Sequence, residues 1–326
     1  MKISKEKYEH MKNLADENGV IAALAIDQRG SMEKMMANAN PDFNTVKDIS
    51  RFKEFVSRNL TKYASSILLD PIYGLTAIDA RDENAGLLIS YEITGYDNDE
   101  PGRLPRLITD LSGLRIKEMG ADAIKILLYY DIDEDDYIND QKKAFVERIG
   151  YEAESLGLPF FLEIVNYDQN IEDAKGEEYS KIRPRKVIES MKVFSNPRYK
   201  VDTLKVEAPV NMKYVEGFGE KVLYSKQEAQ KYFKEQSDAT NLPFIFLSGG
   251  VTADMFKETL RFAKEAGSTF NGVLCGRATW KDGVEYFGKG DKEAEDWLLD
   301  VGKENITSLN EVLKDTATSV FEKLEA

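Results

Sequence analysis

Val20-Ile-Ala-Ala-Leu-Ala-Ile-Asp-Gln-Arg-Gly30 decides the architecture: an apolar run that ends abruptly in an aspartate, an amide and an arginine. A short apolar run bounded by polar residues reads as a buried β-strand. The residues just after that strand separate the two large α/β architectures. An open doubly wound sheet needs a glycine-rich phosphate turn directly after its first strand. Asp27-Gln-Arg-Gly is not one, and it leaves charged groups at the strand's C-terminal end.

Working outward from Val20–Asp27, further apolar runs occur at Ser65–Asp70, Leu87–Ile93, Asp122–Tyr129, Pro159–Asn166, Val201–Glu207, Pro243–Ser248 and Asn271–Gly276. Segments with helical periodicity separate them, including Arg51–Tyr63, Leu107–Glu118, Asn139–Ser155, Lys226–Ser237 and Ala253–Glu265. Repeated strand-then-helix units predict an α/β protein with a parallel sheet, here a (β/α)8 TIM barrel. Ser225 followed by Glu228 is a capping-box pattern, and Gly120, Gly157 and Gly267 stand where left-handed C-cap residues belong. With no linker or low-complexity tract, residues 1–326 are expected to form one barrel domain. An N-terminal helix should precede the first strand, and extra helices should come after the last, near Gly283–Asp300 and Ser308–Leu324.

Composition removes several functions. A formal net charge of −14 argues against a nucleic-acid partner, because such binding draws on basic residues. No stretch is apolar enough to span a membrane, and the charged Met1-Lys-Ile-Ser-Lys-Glu-Lys start lacks a signal-peptide core, so a cytoplasmic location is expected. The single cysteine, Cys275, and single histidine, His10, exclude a cysteine-rich zinc site and a disulfide within the chain. A Ser-His-Asp triad would need His10, which falls in a polar segment that reads as a surface helix and so argues against that role. Cys275, in Gly272-Val-Leu-Cys, reads as a core residue. The acidic stretch Asp131–Asp136 lacks the glycine and terminal glutamate of a calcium loop and reads as a solvated loop. Neither metal nor cofactor is expected.

The informative residues are polar groups at strand ends: Asp27, Asp70, Lys125, Glu163, Lys205, Ser248 and Arg277. In β/α barrels these ends form the active site. Period-two alternation puts Thr203, Lys205 and Glu207 on one face of their strand and Lys125, Leu127 and Tyr129 on one face of theirs. Inward lysines on strands four and six can therefore approach, with Glu163 on strand five between them. A purely structural ion pair is the alternative, although such pairs rarely favour stability. An amine attacking a carbonyl must be neutral, and burial and a second cation both favour that form. Glu163 can then carry the protons of carbinolamine dehydration. Residue patterns alone do not choose between the two lysines.

A second signal lies at the last two strands. Ser248-Gly249-Gly250 offers backbone N–H groups and a hydroxyl, and Gly276-Arg277 adds a positive fork, where this fold commonly binds phosphate.

Ala25-Ile-Asp-Gln-Arg-Gly, Ala123-Ile-Lys-Ile-Leu, Phe161-Leu-Glu-Ile, Thr203-Leu-Lys-Val-Glu, Leu247-Ser-Gly-Gly-Val and Cys275-Gly-Arg-Ala-Thr-Trp together resemble, over essentially the whole length, the class I tagatose 1,6-bisphosphate aldolases, relatives of the class I fructose-bisphosphate aldolases. The resemblance implies that Lys205 forms an imine with the ketose, Glu163 transfers protons, Lys125 assists and Asp27 contacts substrate hydroxyls. It also implies that Ser248, Gly249 and Arg277 hold the phosphate on the dihydroxyacetone half, where the turn pattern already places Gly250 and Gly276. Gln28 and Arg29, next to Asp27 at the barrel mouth, are candidates for further substrate contacts, with Arg29 proposed for the second phosphate. The implied products, dihydroxyacetone phosphate and glyceraldehyde 3-phosphate, belong to tagatose 6-phosphate catabolism of galactose or lactose. The expected partner is a small-molecule sugar bisphosphate and, at most, further copies of the same chain as a homo-oligomer. Two alternatives stay open: an aldolase for another phosphosugar, fructose 1,6-bisphosphate or a sulfonated sugar phosphate, and a non-catalytic barrel that binds a sugar phosphate.

Overall fold

The computed structural model describes residues 1–43, 45–93 and 100–326. Eight parallel strands close into a barrel in sequence order: β1 (Ile21–Ala25), β2 (Ser66–Leu69), β3 (Gly86–Ser90), β4 (Ala123–Tyr130), β5 (Phe160–Asn166), β6 (Thr203–Val206), β7 (Phe244–Leu247) and β8 (Gly272–Cys275). Closure is made by β8 pairing with β1, Leu274 opposite Ala23 and Cys275 opposite Leu24. This is the expected TIM barrel, with one strand at each expected run; β3 starts one residue before its run and β4 ends one residue after.

Alternation along the strands divides the apolar residues into two layers. Outward residues such as Leu24, Ile67, Ile124, Leu162, Leu204 and Phe246 pack beneath the surrounding helices. Inward residues Ala23, Leu68, Leu88, Ala123, Phe161, Ile245 and Leu274 form a separate core inside the barrel. Its floor is sealed by Met11 and Leu14 of the N-terminal helix Lys5–Leu14 and by Val320 and Leu324 near the C-terminus. The two seals touch, since Tyr8 and Phe321 lie with ring centroids 5.0 Å apart.

Local signals hold where they are chemically specific. Ser225 and Glu228 form a full capping box on helix Lys226–Asp238. Gly157 adopts φ 69° after helix Asp136–Leu156, a conformation costly for residues bearing a Cβ.

Several helices differ from expectation. Helix Gly113–Glu118 starts late, capped by Ser112, because the preceding segment pairs with the chain after β3 instead. Ile93 N donates to Arg106 O (2.9 Å) and Ile108 N to Tyr91 O (3.1 Å), an antiparallel bridge centred on Glu92 and Leu107. Near the C-terminus the helix spans Lys303–Thr316 and stops at the extended Ala317. Val320 and Leu324, expected on a continuing helix, turn under the barrel, where Val320 N donates to Gly19 O at 2.8 Å. Helices Gly30–Ala39 and Glu177–Phe194 lie outside the segments expected to be helical; the second has Pro184 inside it.

Asp131–Asp136 is only in part the solvated loop expected: Asp133, Asp135 and Asp136 are exposed, but Asp131 and Glu134 are buried. Asp131 is fully buried, and the Lys186 ammonium pairs with it, with Asp133 (3.0 Å) and with Asp168 (2.7 Å). Those three carboxylates would suit a cation by spacing, but the ammonium already sits among them.

Candidate active site

The barrel interior changes character one layer above its apolar floor. On β4, Lys125 lies opposite Phe161 and therefore shares its inward face. On β5, Glu163 comes two residues after Phe161, and it lies opposite Lys205 of β6. Lys125 has no exposed surface. Its Nζ meets Glu163 Oε2 at 2.8 Å, Asp27 Oδ2 at 2.9 Å and Glu92 Oε1 at 2.9 Å. Lys205 Nζ meets Glu163 Oε1 at 2.9 Å. Glu163 thus bridges the two lysines, in keeping with the strand order.

Arg29 completes the charge balance. It is buried rather than open at the rim, donates from Nη2 to Glu92 O (2.9 Å) and lies 3.9 Å from Glu92 Oε1. Asp27, Glu92 and Glu163 are thereby matched by Lys125, Lys205 and Arg29. Burying unmatched charges would cost several kcal/mol per ion, so neutrality is a condition for this cluster to exist. Burial opposes ionisation of Asp27 and Glu163, but Lys125 and Lys205 outweigh it and hold both carboxyls below the ordinary range. Burial also opposes the charge on Lys125; Asp27, Glu163 and Glu92 overcome it and lift that amine well above its ordinary value. Glu92 is pushed up, burial prevailing over Lys125 and Arg29.

Hydrogen-bonding capacity unused by the protein gathers here. Among the described residues, Gln28 Oε1, Arg29 Nε and Nη1, Ser90 Oγ, Glu92 Oε2 and Thr203 Oγ1 are buried without a protein partner. Ser90 lies opposite Lys125 and Thr203 opposite Phe161, so both face inward. Buried polar atoms are normally satisfied, and such a concentration marks a place for a polar ligand.

At the ends of β7 and β8, Gly249 and Gly250 take φ 60° and 77°, with Val251 N donating to Ser248 O (3.2 Å) to tighten the turn. A methyl carbon built on Gly250 would stand 3.4 Å from Arg277 Nη2. One built on Gly276 would stand 3.3 Å from Gln28 Nε2. Ser248, Gly249, Gly250, Gly276, Arg277 and Gln28 therefore converge at one side of the mouth.

Asp70 is not part of this constellation. It pairs with buried Lys53 and accepts from the backbone N–H of Ile72 (3.0 Å) and Tyr73 (2.8 Å). Lys53 also donates to Gln28 O at 2.7 Å, steadying the segment that carries Asp27. Glu207 bends away to Arg183 (3.3 Å) and to Asn166 N (2.9 Å). His10 Nδ1 pairs with Asp122 Oδ1 (2.9 Å) at the floor end of β4. Cys275 faces the outer helices, and burial pushes its thiol up to about 11. Glu92, inside the ionic cluster, and Lys53, beneath the Asp27 segment, are two buried charges of this region that sequence reasoning misses. Glu92 carries a signal, since it continues the inward alternation Leu88, Ser90; Lys53 carries none beyond a charge on an amphipathic helix.

A barrel whose C-terminal mouth holds two buried lysines joined by one carboxylate is equipped as a lysine-dependent carbonyl enzyme. The DeoC/LacD family aldolase model matches residues 21–282, and the chain belongs to that family. It is 57% identical over 325 residues to tagatose 1,6-diphosphate aldolase 1 of Enterococcus faecalis, covering 99% of each chain. It is 54% identical over 321 residues to tagatose 1,6-diphosphate aldolase of Staphylococcus aureus, covering 98% of each. Among solved structures, fructose-bisphosphate aldolase of Plasmodium falciparum superposes with a TM-score of 0.67 at 16% identity, covering 100% of this chain and 98% of that one. A Schiff-base-forming fructose-1,6-bisphosphate aldolase superposes with a TM-score of 0.57 at 16% identity, covering 91% and 99%. At that identity the structures bear on the fold alone.

Proposed function

We propose that this aldolase cleaves tagatose 1,6-bisphosphate to dihydroxyacetone phosphate and glyceraldehyde 3-phosphate through an imine on Lys205. The observation that carries the reading is Glu163 bridging Lys125 at 2.8 Å and Lys205 at 2.9 Å. Lys125, with three carboxylate partners, keeps its proton and is unsuited to attack. Lys205 shares a single carboxylate and is the nucleophile.

Lys205 gives its proton to Glu163, 2.9 Å away, and the neutral amine attacks C2; Glu163 then returns that proton to the departing hydroxyl, so that water leaves and an iminium forms. A carboxylate of the cluster takes the C4 hydroxyl proton as the C3–C4 electron pair moves to the iminium nitrogen. Glyceraldehyde 3-phosphate departs and an enamine remains. Protonation at C3 and hydrolysis of the imine release dihydroxyacetone phosphate and restore the amine. Asp27, held ionised beside Lys125, orients the substrate hydroxyls. Ser248, Gly249, Gly250, Gly276 and Arg277 take the phosphate on C1, and Gln28 lies beside them. Arg29, with Nε and Nη1 unengaged, serves the far end of the ketose.

The substrate name comes from the relatives, at 54–59% identity over nearly the whole chain. Cleavage coupled to triose phosphate detection, with tagatose 1,6-bisphosphate and its C4 epimer fructose 1,6-bisphosphate compared by kcat/KM, tests it. Preference for the tagatose compound is expected. A clear preference for the fructose compound would reassign the substrate, and cleavage of neither would leave a binding barrel.

A further inference from the structure

We infer that Lys175, on the loop between β5 and helix Glu177–Phe194, is a second cation of the phosphate site and sets its preference for a doubly charged ester. The inference rests on the phosphate position proposed above. It begins at Gly250, where an added methyl carbon would stand 3.4 Å from Arg277 Nη2 and 3.9 Å from Lys175 Nζ. The two cations thus approach one point from different sides, Arg277 from β8 and Lys175 from β5.

Lys175 is held there by its backbone. Its N–H donates to Asp173 Oδ1 (2.9 Å), and its carbonyl accepts from Asn211 Nδ2 (3.2 Å) on the loop after β6. The segment is therefore tied across the end of β6 towards β7. Its side chain meets no carboxylate within 4.0 Å among the described residues, and neither does that of Arg277. Nearby Lys181, by contrast, reaches Glu177 at 3.0 Å, and what sets Lys175 and Arg277 apart from other cations without a carboxylate is that both stand beside Gly250. Two neighbouring cations without a counter-ion repel one another, and the arrangement is explained by an anion held between them. A phosphate ester carries between one and a half and two charges at neutral pH and three acceptor oxygens, enough for both cations and the N–H groups of the glycine turn. One cation alone would satisfy a monoanion. The pair favours the dianion.

The test uses the full chain, with borohydride trapping of the lysine imine from dihydroxyacetone phosphate and from dihydroxyacetone, and inhibition of cleavage by inorganic phosphate. Lys175→Met is expected to lower the preference for the phosphorylated ketone by roughly 10- to 100-fold and to weaken inorganic phosphate in parallel, with Lys175→Arg recovering most of it. Between pH 7 and pH 5, where the ester loses its second charge, affinity should fall less in Lys175→Met than in the parent protein. A merely structural lysine would not alter that pH profile. Retention of the phosphate preference within about twofold overturns the inference. If Arg277→Ala loses the preference while Lys175→Met keeps it, only Lys175 is misassigned. If neither variant moves it, the phosphate position falls as well.

Discussion

Glu163 gives one carboxylate oxygen to each of two buried amines, Oε2 to Lys125 at 2.8 Å and Oε1 to Lys205 at 2.9 Å. Replacing it by glutamine keeps the shape but puts an amide donor against an ammonium and removes the proton carrier. Glu163→Gln should lower kcat by about 10²- to 10⁴-fold, with slowed imine formation in rapid-quench trapping. A loss of less than about tenfold would move the proton chemistry elsewhere.

Borohydride reduction in the presence of dihydroxyacetone phosphate should fix an adduct that peptide mass spectrometry maps to Lys205. Lys205→Met should abolish both adduct and cleavage. An adduct on Lys125 would reverse the two roles, and an active enzyme that yields no adduct would sink the imine.

Lys125→Met strips the common partner from Asp27, Glu92 and Glu163. Leaving buried charges unpaired should cost about 3–5 kcal/mol in urea denaturation at pH 7. The directions of the shifts set the pH dependence. Asp27 and Glu163 are depressed in the folded protein, so their contribution is present above about pH 4 and lost as pH falls through their folded values. Lys125 is raised, so its contribution is present below about pH 10 and lost only above its folded value. Stability of the parent should therefore be broad across neutral pH. Without the cation both carboxyls titrate higher, and the acid limb of the rate profile should move to higher pH. An unmoved limb would show that neither carboxyl governs it.

Lys53→Met should destabilise by a similar 3–5 kcal/mol, because Asp70 is left buried and unpaired. The Gln28 carbonyl also loses its donor, so KM should rise as the Asp27 segment loosens. Lys53→Met/Asp70→Asn should recover part of the stability. No recovery in the double variant would mean that the pair is not the main contribution.

Activity should survive exhaustive EDTA. Zinc aldolase chemistry draws on clustered nitrogen ligands, whereas the sole histidine is bonded to Asp122 at the barrel floor. The Asp131, Asp133 and Asp168 oxygens surround Lys186 rather than an open position. Loss of activity restored by zinc would refute this.

The barrel and much of the cluster are legible in the sequence because both leave local traces. A lysine in Ala123-Ile-Lys-Ile-Leu is conspicuous against its neighbours, and strict alternation fixes where it points. Glu92 leaves only its place in the alternation Leu88, Ser90, Glu92, and its setting is fixed by pairing with Leu107, distant in the chain. Lys175 escapes notice for a related reason: only chain tied over β6 brings it to Gly250. Asp70 shows the opposite failure, a strand-end carboxylate spent on Lys53 and on capping a turn. A polar residue at a strand end signals that something must compensate it, not whether that something is substrate or protein.

The strands of origin divide the cluster into two sets that are each neutral. Asp27, Arg29, Glu92 and Lys125 come from the chain up to β4, and Glu163 and Lys205 from β5 onward, as do the glycine turn and Arg277. A chimaera joined between β4 and β5 would therefore exchange the half proposed to contact the substrate hydroxyls without importing an unbalanced charge. Its imine machinery and phosphate anchor would travel together on the other half. Recombination at that seam offers a route to new acceptor aldehydes that point mutation inside one crowded ionic layer does not.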